Sequence, residues 1–554
     1  MTAWDWLVLW LSQLLIVGYG VFKTRHTHTT LQFMKAGKSQ GWLAVGLSVM
    51  ATQASAITFL SGPGQAFAEG MGFLQFYFGL PLAMLVIIGF FLPAYERLNI
   101  TTAYEFLEKR FGLGVRLLTA GLFLIQRGLA AGFTIFAPSL VFSVLLGWDI
   151  RITNLLCGSA VVLYTVTGGS RAVAETQKLQ MAVMMAGLFF GLFLLVRLVM
   201  PEISSSADLW SISKATGRLE VINMSVNTQE KYTLWSGLIG GFFVALSYFG
   251  TDQSQVARYV GGRNREEARK GLLMNAFLKI PMQAMVLYCG VLLYVYYLLH
   301  PRPLNFNPRM EEAILQSDVK AVKADIKRYQ SQRDSLARLL KAENFAPQAV
   351  AKVSRISDSL QKVFNTALTN YWPVEDLKDT NYSFLRFAME HFPAGALGLI
   401  ISMLFSAAMS SASSELNALA TVTCVDFYQR LRKSPVGERD QLLFGRWATL
   451  LWGTYAIAFS MIAGRMGTLI EAVNILGSLV YGTILGIFLT GLFLPQVRGR
   501  EVLWAGCLAE ATVLILFFTD ALSFLWFNVV GALLVVGLSL FFSKSVKIFR
   551  PKTD

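Results

Sequence analysis

Charge is scarce in this chain. Only 15% of its 554 residues are Asp, Glu, Lys or Arg, against 54% hydrophobic. A soluble protein of this length needs roughly a quarter charged residues to cover its surface, so a string of soluble domains is excluded. Mean hydropathy is +0.51, the value of a polytopic membrane protein. Cysteine is scarce too. Cys157, Cys289, Cys424 and Cys507 lie in or beside apolar runs, which implies no disulfide framework. The four histidines are scattered, two of them in the loop at His26 and His28, and offer no metal site. No cluster of His, Asp, Glu or Cys near an interface suggests catalysis, so no catalytic residue is named and an enzyme is not expected. The net charge of +14 would suggest nucleic acid on a soluble protein. Here the basic residues sit in short loops between apolar runs, so they read as orientation signals, and the partner is the lipid bilayer.

A window of roughly 20 apolar residues, the length that crosses a hydrocarbon core, yields about thirteen spans. They lie near 5–22, 41–68, 73–95, 117–147, 151–167, 174–200, 233–259, 271–299, 393–422, 447–464, 467–495, 502–519 and 524–542. Basic residues follow spans one (Lys23, Arg25, Lys35, Lys38), three (Arg97, Lys109, Arg110, Arg116), seven (Arg263, Arg265, Arg269, Lys270), nine (Arg430, Arg432, Lys433, Arg439) and eleven (Arg498, Arg500). More end the chain at Lys544, Lys547, Arg550 and Lys552. All fall on one side if the N-terminus is outside and the C-terminus cytoplasmic. The expected location is a cell membrane, of the bacterial inner-membrane type.

Residues 300–390 form one long polar loop, placed outside. Leu315, Val319, Val322, Ile326, Tyr329, Leu336 and Leu340 recur at helical spacing, and Val350, Val353, Leu360 and Phe364 restart the pattern. This is an extracytoplasmic helical hairpin inserted between spans eight and nine. Two readings of it stay open: a solvated spacer packed on the outer loops, and a docking surface for an extracytoplasmic partner.

Broken helices survive in a membrane only inside protein or beside a cavity, and paired breaks mark transport sites. Span two contains a run from Met50 to Gly64 rich in small and hydroxyl residues, and Gly62-Pro63-Gly64 is expected to end its helix. Span seven carries Gly250-Thr251-Asp252-Gln253, with an acid at mid-membrane. Each opens a group of five spans, so 41–200 and 233–495 read as related halves of a single transporter domain. A third polar run, Ser406 to Asn417 in span nine, puts Ala407, Ser410, Ser411 and Ser414 on one helical face. Neutral hydroxyl and carbonyl oxygens suit a small monovalent cation without burying full carboxylates. Small-residue helix packing is the competing account of that serine run.

These segments resemble the sodium:solute symporter family, in particular its thirteen-helix branch with the multivitamin, monocarboxylate and iodide symporters. The likeness covers Ala51–Gly64, Leu92-Pro93, Thr102–Phe111, Ala137–Leu140, Thr167-Gly168-Gly169, Asp252-Gln253 with Arg258, Glu267–Gly271, Ala407–Asn417 and Asp426-Phe427-Tyr428. It implies an all-α fold, a five-plus-five inverted repeat with broken core helices and alternating access. It also implies Na+ as coupling ion, no cofactor, and a sodium site with carbonyls from Ala51, Ala54 and Ala407 and hydroxyls from Ser410 and Ser411. A second sodium, which some members hold at positions matching Ser410, Ser413 and Ser414, is doubtful here because Gln177 stands where they carry an aspartate. The neighbouring Lys178 is expected to snorkel to the cytoplasmic interface rather than fill a cation site.

Ionisable groups at membrane depth are candidates for function. Arg127 in span four either grips a substrate carboxylate or pairs with a protein acid such as Glu175 or Asp252. Gln53, Thr58, Gln75, Tyr77, Asp252 and Lys279 are the further candidate substrate contacts; Lys279 matches a lysine of sugar-transporting relatives, and Tyr77 replaces their glutamate. The expected function is sodium-coupled import of a small polar or anionic organic solute. The alternatives are a proton-coupled or uncoupled transporter of the same fold, and a transporter-like sensor.

Overall fold

The computed structural model describes residues 1–24, 38, 40–203, 206–432, 436–464 and 469–548. His26, His28, Arg25, Lys35, Lys433, Arg550 and Lys552 lie outside the described residues. In chain order the membrane helices are α1 (Ala3–Thr24), the pair α2 (Trp42–Gln53) and α3 (Ala56–Glu69), α4 (Met71–Leu98), α5 (Leu113–Leu146), α6 (Ile150–Thr167) and α7 (Gly169–Val199). Then come the pair α8 (Ser236–Thr251) and α9 (Gln253–Val260), and α10 (Arg265–Leu299). Helices α11 (Lys320–Ala342) and α12 (Pro347–Leu368) form the expected hairpin. The chain continues with α13 (Ala396–Leu431), α14 (Glu438–Ala463), α15 (Leu469–Phe493), α16 (Gly499–Phe518) and α17 (Phe524–Ile548). Each of the thirteen expected segments is thus helical. By length and composition nine described helices could cross a membrane, ten with the bent pair α2–α3 counted as one span. The remaining three segments are α1, the α8–α9 pair and α14.

Local chemistry sets the helix ends. Gly169 separates α6 from α7 with φ +60°, a left-handed conformation that glycine adopts without a Cβ penalty. The Asp5 carboxylate accepts from the backbone N–H groups of Gly395 (2.8 Å) and Gly398 (3.0 Å), and so caps the start of α13 where the helix dipole favours a negative charge. Farther along, Gln13 Nε2 donates to Ser402 Oγ and Ser406 Oγ (3.1 and 3.0 Å), holding α1 to α13.

Both helix breaks are present, but the first is not where Gly62-Pro63-Gly64 suggested. Helix α3 runs unbroken through those three residues. The lapse lies at Ala54 (φ −80°, ψ 75°) and Ser55 (φ −78°, ψ 167°), where the axes of α2 and α3 bend by 58°. Proline costs a helix one hydrogen bond, a loss that a packed neighbour can absorb. The glycines are there for close approach: a Cβ on Gly64 would stand 2.0 Å from Thr380 O, and one on Gly290 of α10 would stand 2.1 Å from Pro63 O. The second break falls at Asp252 (φ −77°, ψ 122°), as expected, and its side chain caps α9 by accepting from Ser254 N at 2.8 Å.

The hairpin buries Val322, Ile326, Tyr329, Phe364 and Leu368 with Leu304, Met310 and Ile314 in a small core of its own. Leu315 and Val319 are exposed, against expectation. The reason is local: Leu315 ends the preceding short helix Pro308–Leu315, and α11 begins only at Lys320. The hairpin sits on the C-terminal end of α10, where Tyr294 OH meets Ser354 Oγ (2.9 Å) and Asp358 Oδ1 (3.0 Å).

Candidate ion and solute site

At the α2–α3 break the Ser55 N–H turns back to Gln53 O (3.0 Å) instead of continuing the helical pattern to Ala51. The Ala51 carbonyl is met instead by Ser410 Oγ of α13 at 3.0 Å. One residue on, Ser411 Oγ donates to Ala407 O at 2.7 Å. Ala51, Ala54, Ala407, Ser410 and Ser411 are all fully buried. The released Ala51 carbonyl and the Ser410 hydroxyl therefore meet where α2 touches α13.

One turn deeper the serine run is occupied by an amide. Gln177 Nε2 of α7 donates to Thr52 Oγ1 (3.0 Å), Ser410 Oγ (3.1 Å) and Ser414 Oγ (2.9 Å), while Ser48 donates to its Oε1. Ser413 and Ser414 donate back to Ser410 O at 3.2 and 2.7 Å. Lys178 stays away: its Nζ pairs with Glu175 at 2.8 Å and its side chain is a third exposed.

Beside the first cluster lies a cavity of about 110 Å3, enough for several waters or a small solute. Both broken helices contribute to it, through Thr52, Gln53, Ser55 and Thr58 on one side and Tyr248 and Phe249 on the other. Arg127 of α5 projects into it and is already paired. Its Nη2 donates to Asp252 Oδ2 and its Nη1 to Glu415 Oε1 (3.1 Å). Tyr481 OH of α15 adds a 3.0 Å bond to Asp252 Oδ2. The other Asp252 oxygen takes Ser254 N and Ser254 Oγ (2.8 and 2.6 Å). Arg127 is thus paired with protein acids, Asp252 as expected and Glu415 in place of Glu175.

Of the expected solute contacts, Gln53, Thr58, Tyr77 and Arg127 line the cavity. Asp252 stands behind Arg127. Gln75 does not reach the cavity: its amide is spent on Tyr232 O (3.1 Å) and Asn223 N (3.1 Å) in the segment before α8. Lys279 is fully buried on α10, 5.3 Å from the Tyr77 ring centre, and is likewise outside the lining. Sequence reasoning missed Glu415, Tyr481 and Asn474. Glu415 carried a visible signal, an acid four residues past Ser411 and hence on the same helical face.

Two broken helices that flank one polar cavity inside a helical bundle define a secondary transporter. The chain belongs to the sodium:solute symporter family, whose model matches residues 33–318 and 364–508. The unmatched piece, 319–363, is narrower than the expected 300–390 loop and falls on the α11–α12 hairpin. The human sodium/iodide cotransporter is 26% identical over 90% of this chain and 67% of its own length. The Xenopus laevis sodium-coupled monocarboxylate transporter 1 is 28% identical over 90% of this chain and 69% of its own. A substrate-bound, outward-open Na+-coupled sialic acid symporter has the same fold, with a TM-score of 0.75 at 20% identity over 99% of both chains. These relatives are transporters, not enzymes.

Proposed function

We propose that this protein imports a small polar organic solute by sodium-coupled symport. The Ala51 carbonyl carries the reading: it is released at a helix break and met across the interface by Ser410. In this reading Na+ binds the carbonyls of Ala51, Ala54 and Ala407 and the hydroxyls of Ser410 and Ser411, and fastens α2 to α13. The solute then binds between the two breaks, in contact with Gln53, Thr58 and Tyr77. A rigid-body rearrangement opens both sites to the cytoplasm. Ion and solute are coupled because each favours the same conformer. The membrane potential contributes about 2.3 kcal/mol per charge per 100 mV. One sodium moves per cycle, since the Gln177 amide already serves the Ser410–Ser414 oxygens. The N-terminus lies outside, which puts the basic loops in the cytoplasm.

Uptake by proteoliposomes, with and without a sodium gradient, tests the reading. Ser411→Ala removes a ligand oxygen and is expected to raise the half-saturating sodium concentration roughly tenfold. Uptake that ignores the sodium gradient, or an unchanged sodium dependence in Ser411→Ala, would overturn it.

A further inference from the structure

The hairpin carries charge and apolar surface that its own packing leaves uncovered. Helices α11 and α12 hold ten Lys or Arg against three Asp, and one of those acids, Asp358, is committed to Arg218. A groove of about 530 Å3 opens between the two helices. It is lined from Asp325 to Leu336 on α11 and from Ile356 to Ala367 on α12, a length of about three helical turns. Its floor is apolar: the Tyr329 and Phe364 rings stack there with centres 4.5 Å apart, beside Leu336 and Leu360. Ile356 and Val363 also line it, and they remain 42% and 64% exposed. Both rims are basic. On α11 the lining residue Ser331 shares a helical stripe with exposed Lys327 and Arg338, and on α12 the lining residue Ser359 shares one with exposed Arg355 and Lys362. Asp325 is the one acid of the lining among the described residues, and it stands three residues from Arg328 in the same lining. The groove faces away from the transporter. Ser354 and Asp358, each two residues from Ile356 and so on the opposite face of α12, are the groups that meet Tyr294 of α10.

We propose that the α11–α12 groove docks an acidic amphipathic helix of a partner protein, which completes a three-helix bundle. Two antiparallel helices leave between them the kind of furrow into which the side-chain ridge of a third helix packs. A helix seated there would place apolar side chains at three-and-four spacing on Tyr329, Leu336, Leu360 and Val363. Its flanking Asp and Glu would meet the Lys327–Arg338 and Arg355–Lys362 rims, and that complementarity sets the sign of the partner. A flexible polyanion would satisfy the rims but leave the apolar floor wet, so the floor argues for a helix. Most of the groove lies within 319–363, the piece that the family model leaves unmatched. Docking is therefore a property of the insertion and does not depend on how the transport site works.

The test uses the purified full-length chain and fluorescein-labelled synthetic peptides of about 18 residues, long enough to span the groove. The first peptide is an amphipathic helix with Leu at three-and-four spacing and Glu elsewhere. The second has the same composition with the Leu residues scattered, and the third has Lys in place of every Glu. Poly-L-glutamate and phosphatidylglycerol vesicles complete the panel. The expected result is saturable binding of the first peptide, at least about tenfold tighter than of either control, and weakened by salt. Val363→Glu, a change at an exposed position, should loosen that binding about tenfold or more while sodium-dependent melting stays as in wild type. Lys362→Glu should loosen it as well and reads the rim alone. Equal binding of the scattered peptide or of poly-L-glutamate would show a charged surface without a groove, and equal binding of the Lys peptide would show apolar adhesion. Binding to the vesicles alone would make the surface a lipid contact. Each of these results, a lack of any saturable binding, or indifference to Val363→Glu overturns the proposal.

Discussion

Single side chains decide what each polar cluster can hold. The Ser410–Ser414 oxygens are arranged around a donor, and that donor is the Gln177 Nε2 amide. Gln177→Asp replaces it with an acceptor of full negative charge among hydroxyls. Without a cation the buried carboxylate is uncompensated, which costs roughly 3–5 kcal/mol. The variant is therefore expected to melt lower than wild type in choline buffer and to recover in sodium. Its uptake should also depend on sodium with a Hill slope rising from one toward two. Equal melting in both buffers would show that the cluster admits no ion even when given the charge. Arg127 illustrates the same rule from the other side. Its partners were open in the sequence because pairing is a matter of distance, and in the structure two acids from two different helices meet it.

Helix–helix contacts explain what a linear reading misjudges. Gly62-Pro63-Gly64 looks like a stop signal, yet α3 continues through it because the neighbouring backbone fills the space where side chains would be. Gly64→Ala or Gly290→Ala is expected to cost about 1–3 kcal/mol of stability by pushing α3 off its neighbours. Gly72→Ala, with nothing within 4 Å of the added Cβ, should stay within about 0.5 kcal/mol; thermal melting of the three variants checks both statements. The break at Ala54–Ser55 carries neither glycine nor proline, and Ser55 makes no side-chain cap, so its local signal is weak and the contact with Ser410 locates it. The Asp252 break was legible from Gly250 and an acid at mid-membrane, and the structure shows that acid capping the following helix. Gln75 shows the limit from the opposite end, since nothing in its surroundings along the chain announces that its amide serves a loop over 140 residues away. The motifs at Thr102 and Asp426 were legible as a pair of signatures, but only the fold shows Thr102 Oγ1 and Arg116 Nε converging on the Asp426 carboxylate (2.8 and 2.6 Å).

For the molecule as a whole, composition was enough to place it in a membrane, and loop charge leads to the proposed direction. The direction matters to the mechanism, because it decides which side delivers sodium to the site proposed at Ala51 and Ser411. Two exposed positions report on it. Glu343 lies at the tip between α11 and α12, and Arg263 lies between α9 and α10. Among the native cysteines only Cys507 is exposed, so Cys507→Ala gives a quiet background. In that background Glu343→Cys is expected to react with a membrane-impermeant maleimide on intact cells. Arg263→Cys should react only after permeabilisation, since the positive-inside rule assigns its basic loop to the cytoplasm. The hairpin is the safer reporter of the two, because its fastening to Tyr294 and Arg218 through Asp358 (3.0 Å to each) fixes it to the C-terminal end of α10. If Arg263→Cys labels from outside and Glu343→Cys does not, the chain is inverted, and the sodium gradient that drives it would have to run from the other face.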